Sequence, residues 1–159
     1  MKLIVAVDRN WAIGYRGELL ARVSADLKRF KTLTLGHPVL LGRKTLATFP
    51  GGRPLPGREN FILSTDPDFR VEGAVVLRSV EEARTRCPED TFVIGGAQIY
   101  RALLNGCDTA YVTKLDADFP ADTWFPNLDA LPGWGIAEEE GPFAEDSLAF
   151  RYVTYKREK

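Results

Sequence analysis

Three places in the chain put reactive or ligand-gripping side chains where a strand hands over to a helix. In Gly42-Arg43-Lys44-Thr45 an aliphatic strand turns into a helix that opens on two cations and a hydroxyl. Free N–H groups at a helix start attract anions, and an arginine fork grips phosphate through two oxygens. Cations there also oppose the helix dipole, so the segment reads either as a phosphate grip or as a solvated basic turn. Val93-Ile94-Gly95-Gly96-Ala97 is the second such place. Its two glycines let backbone approach a ligand closely or simply make a tight turn, and the pattern is not the G-x-G-x-x-G dinucleotide fingerprint. Ser64-Thr65 and Arg78 add hydroxyls and a cation at two further strand ends, in keeping with a ligand that carries more than one phosphate.

The third place is Asp26, two residues after Ser24, which can cap a helix running to about Leu35. A carboxylate in a first helical turn ordinarily complements the dipole. This one, however, shares a face with Phe30 at i+4 and sits beside Leu27, and Leu33 and Thr34 continue the stripe. An acid facing an apolar surface is partly desolvated, which raises its pKa and equips it as a proton source. Both uses fit the spacing. Trp11-Ala12-Ile13-Gly14-Tyr15-Arg16-Gly17 forms a long connection suited to a lid. Gly51-Gly52-Arg53-Pro54-Leu55-Pro56-Gly57-Arg58 is a proline-stiffened loop that either offers Arg58 to a carboxylate or merely crosses between elements.

The elements that must hold these residues follow from periodicity. Leu3–Val7, Pro38–Gly42, Asn60–Ser64, Ala74–Arg78, Thr91–Ile94 and Ala110–Leu115 are short aliphatic or β-branched runs bounded by turn residues, which predicts strands buried on both faces. Helices are expected from Ser24 to Leu35, from Arg43 to about Phe49, from the Ser79-x-x-Glu82 capping box to Cys87, and from Gly96 to about Leu104 with Asn105-Gly106 as its stop. Gly135–Glu140 and Leu148–Lys156 alternate in polarity and predict an antiparallel hairpin turned by Gly141-Pro142 and acidic residues. Strand-helix alternation implies a mainly parallel sheet with its ligand crevice at the carboxyl ends of the strands.

Composition bounds the rest. With 159 residues, 45% of them hydrophobic and 27% charged, the chain is expected to form one domain spanning residues 1–159, with a core that needs no staple. No apolar run reaches the length of a signal or membrane segment, so a cytoplasmic protein is expected, and monomer is the default. Cys87, Cys107 and His37 lack metal-ligand spacing, which predicts no metal site. The net charge of −1 argues against a nucleic-acid binder, but residues 1–60 hold eleven Lys and Arg against four acids, while residues 116–146 hold nine acids and no Lys or Arg. An anionic ligand favours the first segment.

In chain order, Ala12-Ile13-Gly14, Asp26-Leu27-x-x-Phe30, Gly42-Arg43-Lys44-Thr45, Arg53-Pro54-Leu55-Pro56-Gly57-Arg58, Val93-Ile94-Gly95-Gly96 and Asp122-Thr123-x-Phe125-Pro126 resemble the successive signatures of the dihydrofolate reductase family. The likeness runs from Leu3 to the terminal hairpin. It implies an α/β fold of three layers, with a mainly parallel sheet of about eight strands, an antiparallel C-terminal hairpin and about four flanking helices. It also implies NADPH-dependent reduction of 7,8-dihydrofolate to tetrahydrofolate, by hydride transfer to C6 and protonation of N5, in one-carbon and thymidylate metabolism. By the match, Asp26 holds the pterin edge and assists protonation, with Thr113 in support. Leu27, Phe30 and Phe49 wall the aminobenzoyl group, the backbones of Ile4 and Ile94 accept from the pterin amino group, and Arg58 forks the glutamate carboxylate. Ala6 packs between substrate and nicotinamide, with Ile13, Gly14 and Leu19 on the cofactor side. Arg43 with Ser64 or Thr65 takes the 2′-phosphate, flanked by Gly42, Lys44, Leu63 and Arg78. Thr45 and the turn Gly95-Gly96-Ala97-Gln98, followed by Ile99, take the pyrophosphate, and Thr123 is a further cofactor-binding residue. The lid spans Trp11 to Leu20 and is braced by Ala121-Asp122.

The chain departs from the pattern at Leu19-Leu20-Ala21, where many family members read Leu-Pro-Trp. Gln98 stands where a basic residue is frequent. Two other readings compete: a same-fold reductase acting on a ribosylamino-pyrimidine phosphate, and a nucleotide-binding module without turnover. Asp26 and Arg58 separate the first, since a pteridine with a glutamate tail needs that carboxylate and that cation. Turnover separates the second, and antifolate binding that depends on Asp26 accompanies the reductase reading.

Overall fold

The computed structural model describes residues 1–158. In chain order the elements are β1 (Lys2–Val7), β2 (Ala12–Tyr15), β3 (Glu18–Leu19), α1 (Ser24–Thr34), β4 (Val39–Gly42), α2 (Arg43–Leu46), β5 (Asn60–Leu63), β6 (Val75–Leu77), α3 (Val80–Arg86), β7 (Phe92–Gly95), α4 (Ala97–Leu103), β8 (Thr109–Leu115), β9 (Thr123–Trp124), β10 (Trp134–Glu145) and β11 (Leu148–Arg157). Eight of the strands form one sheet in the order β10-β11-β8-β1-β7-β4-β5-β6. The six strands from β8 to β6 run parallel, and β11 and β10 add antiparallel at the edge.

Alternation along each central strand feeds two faces. Leu3, Val5, Val7, Leu40, Val93 and Val112 join one apolar cluster, and Ile4, Val39, Leu41, Ile62 and Phe92 join the other. Because both faces are covered, polar backbone is free only at strand ends, and the carboxyl ends of β1, β4, β5 and β7 come out together. Cys107 is buried and Cys87 half-buried, and burial pushes both thiols up to about 11. No helix among the described residues is long and apolar enough to cross a membrane, and no group of three or more His, Cys, Asp or Glu among them could hold a metal.

Several local expectations are corrected. Ser24 is not the cap of α1: Val23 holds that position without a side-chain bond, and Ser24 is the first helical residue. The open N–H groups of Ser24 and Ala25 instead donate to the Glu145 carboxylate at the end of β10, at 2.7 and 3.1 Å. Helix α2 stops at Leu46 rather than near Phe49, because Thr48 and Phe49 tighten into bonds with the carbonyls of Thr45 and Leu46 and Pro50 follows. Ser79 caps α3 by accepting from the Glu82 N–H, but the Glu82 carboxylate pairs with Arg86, so only half of the capping box forms. The hairpin turns at Asp146-Ser147, both with positive φ, and Gly141-Pro142 lies within β10 at a bulge between Glu140 and Phe143. Proline has no N–H for a ladder, and a bulge accommodates that lack. The segment after β1 is more ordered than a loop: β2 pairs with β3 and β9 in a small antiparallel sheet.

The two N–H donors of α1 hold the Glu145 carboxylate below its ordinary value of 4.5. Its stabilisation is therefore present above pH 4.5 and lost as pH falls through the depressed value. Thermal unfolding of Glu145→Gln is expected at a lower Tm than the parent at pH 7, with the gap closing below pH 4.5.

Candidate active site

Asp26 lies in the first turn of α1, half-buried, with Leu27 left 45% exposed beside it. Thr113 of β8, itself buried, donates its hydroxyl to Asp26 Oδ1 at 2.5 Å. Across the parallel register Thr113 stands opposite Ala6 of β1, so the carboxylate is tied to the carboxyl end of the central strand. Burial raises the Asp26 carboxyl above its ordinary value of 3.8, while the Thr113 bond and the Arg29 cation act in the opposite direction. The Arg29 guanidinium itself rests 4.1 Å from the Tyr152 ring centre. Phe30, one turn on from Asp26 in α1, packs with Phe49 and Ile94 against the apolar cluster that contains Ile4.

Arg58 ends the proline-stiffened loop. Its Nη1 donates to Thr34 Oγ1 at 3.1 Å, and Nε and Nη2 donate to the Pro56 carbonyl. Thr34 in turn donates to the Phe30 carbonyl, so the cation is hung from the same helix that carries Asp26. Asn60, 2% exposed, pins the loop from below: it accepts from the Leu55 N–H and donates to the carbonyls of Leu55 and Arg58, each at 2.9 Å.

The strand ends open into a cleft of ≈ 540 Å³. Of the residues expected on the cofactor side, Ala6, Ile13, Gly14, Leu19, Gly42, Arg43, Lys44, Thr45, Leu63, Ser64, Thr65, Gly95, Gly96, Ala97, Gln98, Ile99 and Thr123 line it. The glycines are there for close approach: a Cβ on Gly42 would stand 3.1 Å from Ile99 Cγ1, one on Gly96 would stand 3.3 Å from Thr45 Oγ1, and Gly95 has φ +135°. With α2 only four residues long, the charge at this junction comes from Arg43 more than from a helix dipole. Arg78 is not brought to the cleft lining. Its guanidinium donates to the carbonyls of Asp66 and Phe69 and so braces the loop behind the cleft. A separate cavity of ≈ 290 Å³, with Arg9, Asp116 and Arg151 in its wall, shares no residue with the cleft.

Sequence reasoning assigned no site role to four residues that shape this region. Tyr100, buried, lines the cleft and donates its hydroxyl to the Ile4 carbonyl at 2.7 Å, and burial raises its pKa. Asp66 lines the cleft with its carboxylate on Arg43. Asn60 and Thr34 act behind Arg58. Asp66 alone had a local signal, because it follows Ser64-Thr65 directly. In the segment expected to form a lid, Trp11 is buried, its ring centre 6.2 Å from that of Phe125 and 5.9 Å from that of Tyr155. Asp122 Oδ2 accepts from the Arg16 N–H at 2.9 Å, and its own N–H donates to the Gly14 carbonyl at 3.1 Å. Asp8, 2% exposed, accepts from the N–H groups of Asn10, Ala12 and Phe119, which ties the start of that segment to the loop before β9. Ala21 packs against the small cluster of Val23, Leu115 and Phe150.

A family model described as dihydrofolate reductase matches residues 1–157. The type 3 dihydrofolate reductase of Salmonella typhimurium is 38% identical over 164 residues, covering 100% of this chain and 99% of that protein. The dihydrofolate reductase of Bacillus subtilis (strain 168) is 35% identical over 161 residues, covering 100% of this chain and 94% of its own length. Among solved structures, dihydrofolate reductase from Enterococcus faecalis complexed with NADP(H) and RAB-propyl superposes with a TM-score of 0.87 at 34% identity, covering 99% of this chain and 96% of that one.

Removing the Asn60 side chain leaves one part-buried N–H and two carbonyls without their partner. Asn60→Ala is expected to cost on the order of 2 kcal/mol in denaturant unfolding.

Proposed function

The chain belongs to the dihydrofolate reductase family, and we propose the roles by which its residues perform that family's reaction. The enzyme reduces 7,8-dihydrofolate to 5,6,7,8-tetrahydrofolate with NADPH. The observation that carries the assignment of roles is the desolvated Asp26 carboxylate, bonded to Thr113, whose strand partner Ala6 lines the strand-end cleft.

The cleft suits a dinucleotide phosphate in its donor set. One end is polar, with Arg43, Lys44, Ser64 and Thr65, the middle is the glycine turn against Thr45, and the inner end is apolar, with Ala6, Ile13 and Ile94. Arg43 with Ser64 or Thr65 would hold the 2′-phosphate, Thr45 and the Gly95–Gln98 turn the pyrophosphate, and Ala6 and Ile13 the nicotinamide. When bound, NADPH supplies a hydride to C6 of the substrate.

The protein's own part is placement, electrostatics and a proton. Asp26 accepts from the amino group and ring nitrogen of the pterin, and desolvation, by raising its pKa above the ordinary value of 3.8, equips it to assist protonation of N5. Thr113 fixes the orientation of that carboxylate. The carbonyls of Ile4 and Ile94 take the remaining amino protons. Leu27, Phe30 and Phe49 cover the aminobenzoyl ring, and Leu27 is exposed because that surface faces substrate. Arg58, pre-set by Thr34 and Pro56, pairs with the glutamate α-carboxylate through two parallel N–H bonds. The sheet of β2, β3 and β9, latched by Asp122, excludes water over the reacting atoms. The diaminopyrimidine of an antifolate, protonated, would pair with Asp26 in the same way.

Nicotinamide absorbance followed with purified protein, NADPH and dihydrofolate should fall only when dihydrofolate is present, and oxidation independent of dihydrofolate would overturn the assignment. Asp26→Asn is expected to lower kcat by about 10²–10⁴-fold, most severely at high pH where solvent protons are scarce. The same variant has a second signature. Above pH 3.8 the native carboxyl binds more protons than the unfolded one, so parent stability falls as pH rises through the raised value. Asp26→Asn should therefore unfold at a Tm equal to or above the parent at pH 7, with the difference vanishing as pH falls towards 3.8. Arg58→Gln should raise KM for dihydrofolate about 10- to 100-fold, the worth of a charge-assisted pair, with a much smaller change in kcat.

A further inference from the structure

Beside the cation expected to hold the 2′-phosphate stands an acid. Asp66 lies in the loop that follows β5, and its Oδ2 is 3.2 Å from Nη1 of Arg43, with both side chains lining the cleft. The loop holds the carboxylate there. Asp66 Oδ1 accepts from the Asp68 N–H at 2.9 Å, the Asp66 N–H donates to Ser64 Oγ at 3.2 Å, and the Asp66 carbonyl accepts from Arg78. Ser64 is itself buried, so the backbone of Asp66 is anchored to one of the two hydroxyls at the same strand end.

We propose that Asp66 sets the cofactor preference of this chain: its carboxylate competes with the 2′-phosphate of NADPH for Arg43 and accepts a hydrogen bond from the 2′-hydroxyl of NADH. The inference rests on the placement of the 2′-phosphate at Arg43 with Ser64 or Thr65. A phosphate dianion brought to Arg43 meets a fixed like charge and must take the guanidinium from it. A ribose hydroxyl meets no such charge and has a proton to donate, the way an acid at a strand end selects the unphosphorylated dinucleotide in other α/β folds. The ion pair is half-exposed, at 48% and 42% for the two side chains, so it is weak enough for a phosphate to open yet costs affinity when it does. Arg43 also lies 5.8 Å from the Phe69 ring centre, a contact that helps keep the cation in place when the carboxylate is gone. The chain therefore uses NADH more readily than Arg43 and Lys44 alone would permit.

The test measures kcat/KM for NADPH and for NADH at saturating dihydrofolate in the parent and in Asp66→Asn, an amide that can still accept from the Asp68 N–H. Dissociation constants of NADP⁺ and NAD⁺, from quenching of tryptophan fluorescence, accompany it and do not depend on turnover. The expected result is a rise of about fivefold in the NADPH-to-NADH ratio, with the same shift in the NAD⁺-to-NADP⁺ ratio of dissociation constants, the order of one half-exposed charge contact. Asp66→Ala should shift both ratios in the same direction, since it too removes the charge. Ratios that stay put, or affinity for both cofactors lost alike, would overturn the proposal and leave Asp66 a loop-shaping residue. Arg43→Gln separates the two readings. If it abolishes the preference for NADPH while Asp66→Asn changes nothing, only the role of Asp66 fails. If it leaves the preference intact, the placement of the 2′-phosphate fails and the role of Asp66 falls with it.

Discussion

A sheet covered on both faces can offer polar backbone only where its strands stop, and nearly everything functional here follows from that constraint. β1, β4, β5 and β7 are apolar but for Lys2 and Asn60 at their starts and run in one direction, so their carboxyl ends emerge side by side. The connections that leave those ends are the lid, the Arg43 junction, the Ser64–Asp66 loop and the Gly95-Gly96 turn. Their convergence into one cleft is a consequence of strand direction, and the chemistry of each connection then divides the cleft into a charged end and an apolar end.

Asp26 sits where two demands conflict. Surrounding a carboxyl with apolar groups raises its pKa and suits it to deliver a proton, but ionising it there is unfavourable to folding. Thr113 moderates the conflict by donating a hydrogen bond to the ionised form, and Arg29 adds a favourable charge without touching the cleft. The group is thus held between a surface carboxylate and a fully neutral acid. At the opposite end, Asp66 and Arg43 show a milder version of the same balance in a half-exposed setting, where screening keeps the pair weak.

The side chains proposed to do the chemistry are held by others, some close in sequence and some far away in the chain. Glu145 closes the start of α1 from β10, Asn60 and Thr34 set the basic loop, and Asp8 with Asp122 tethers the lid to the segment before β9. Glu145 and Asp8 carry no sequence signature for these contacts, because a hydrogen bond across the fold leaves no fixed spacing, whereas Asp122 belongs to a family signature and Asn60 acts over only two to five residues. That is also why Ser24 misleads. A serine before an apolar helix is a good local cap, yet a carboxylate supplied by the folded hairpin satisfies the same N–H groups, and one more acceptor there is redundant.

The strands, the four helices, the edge hairpin and the family were legible in the linear chain, because each rests on short-range facts. Aliphatic runs must be buried, turn residues must break them, and signature residues keep fixed local spacing. Asp26, Arg43, Arg58 and the glycine turn were legible as candidates for the same reason, although their neighbours in space were not. Strand order, the true hairpin turn at Asp146-Ser147, the small sheet in the lid, the retreat of Arg78 behind the cleft and the pairing of Asp66 with Arg43 were settled only in three dimensions. Each depends on which groups meet after the chain has packed, and on competition among many equally good local partners, which burial and hydrogen-bond satisfaction resolve only for the molecule as a whole.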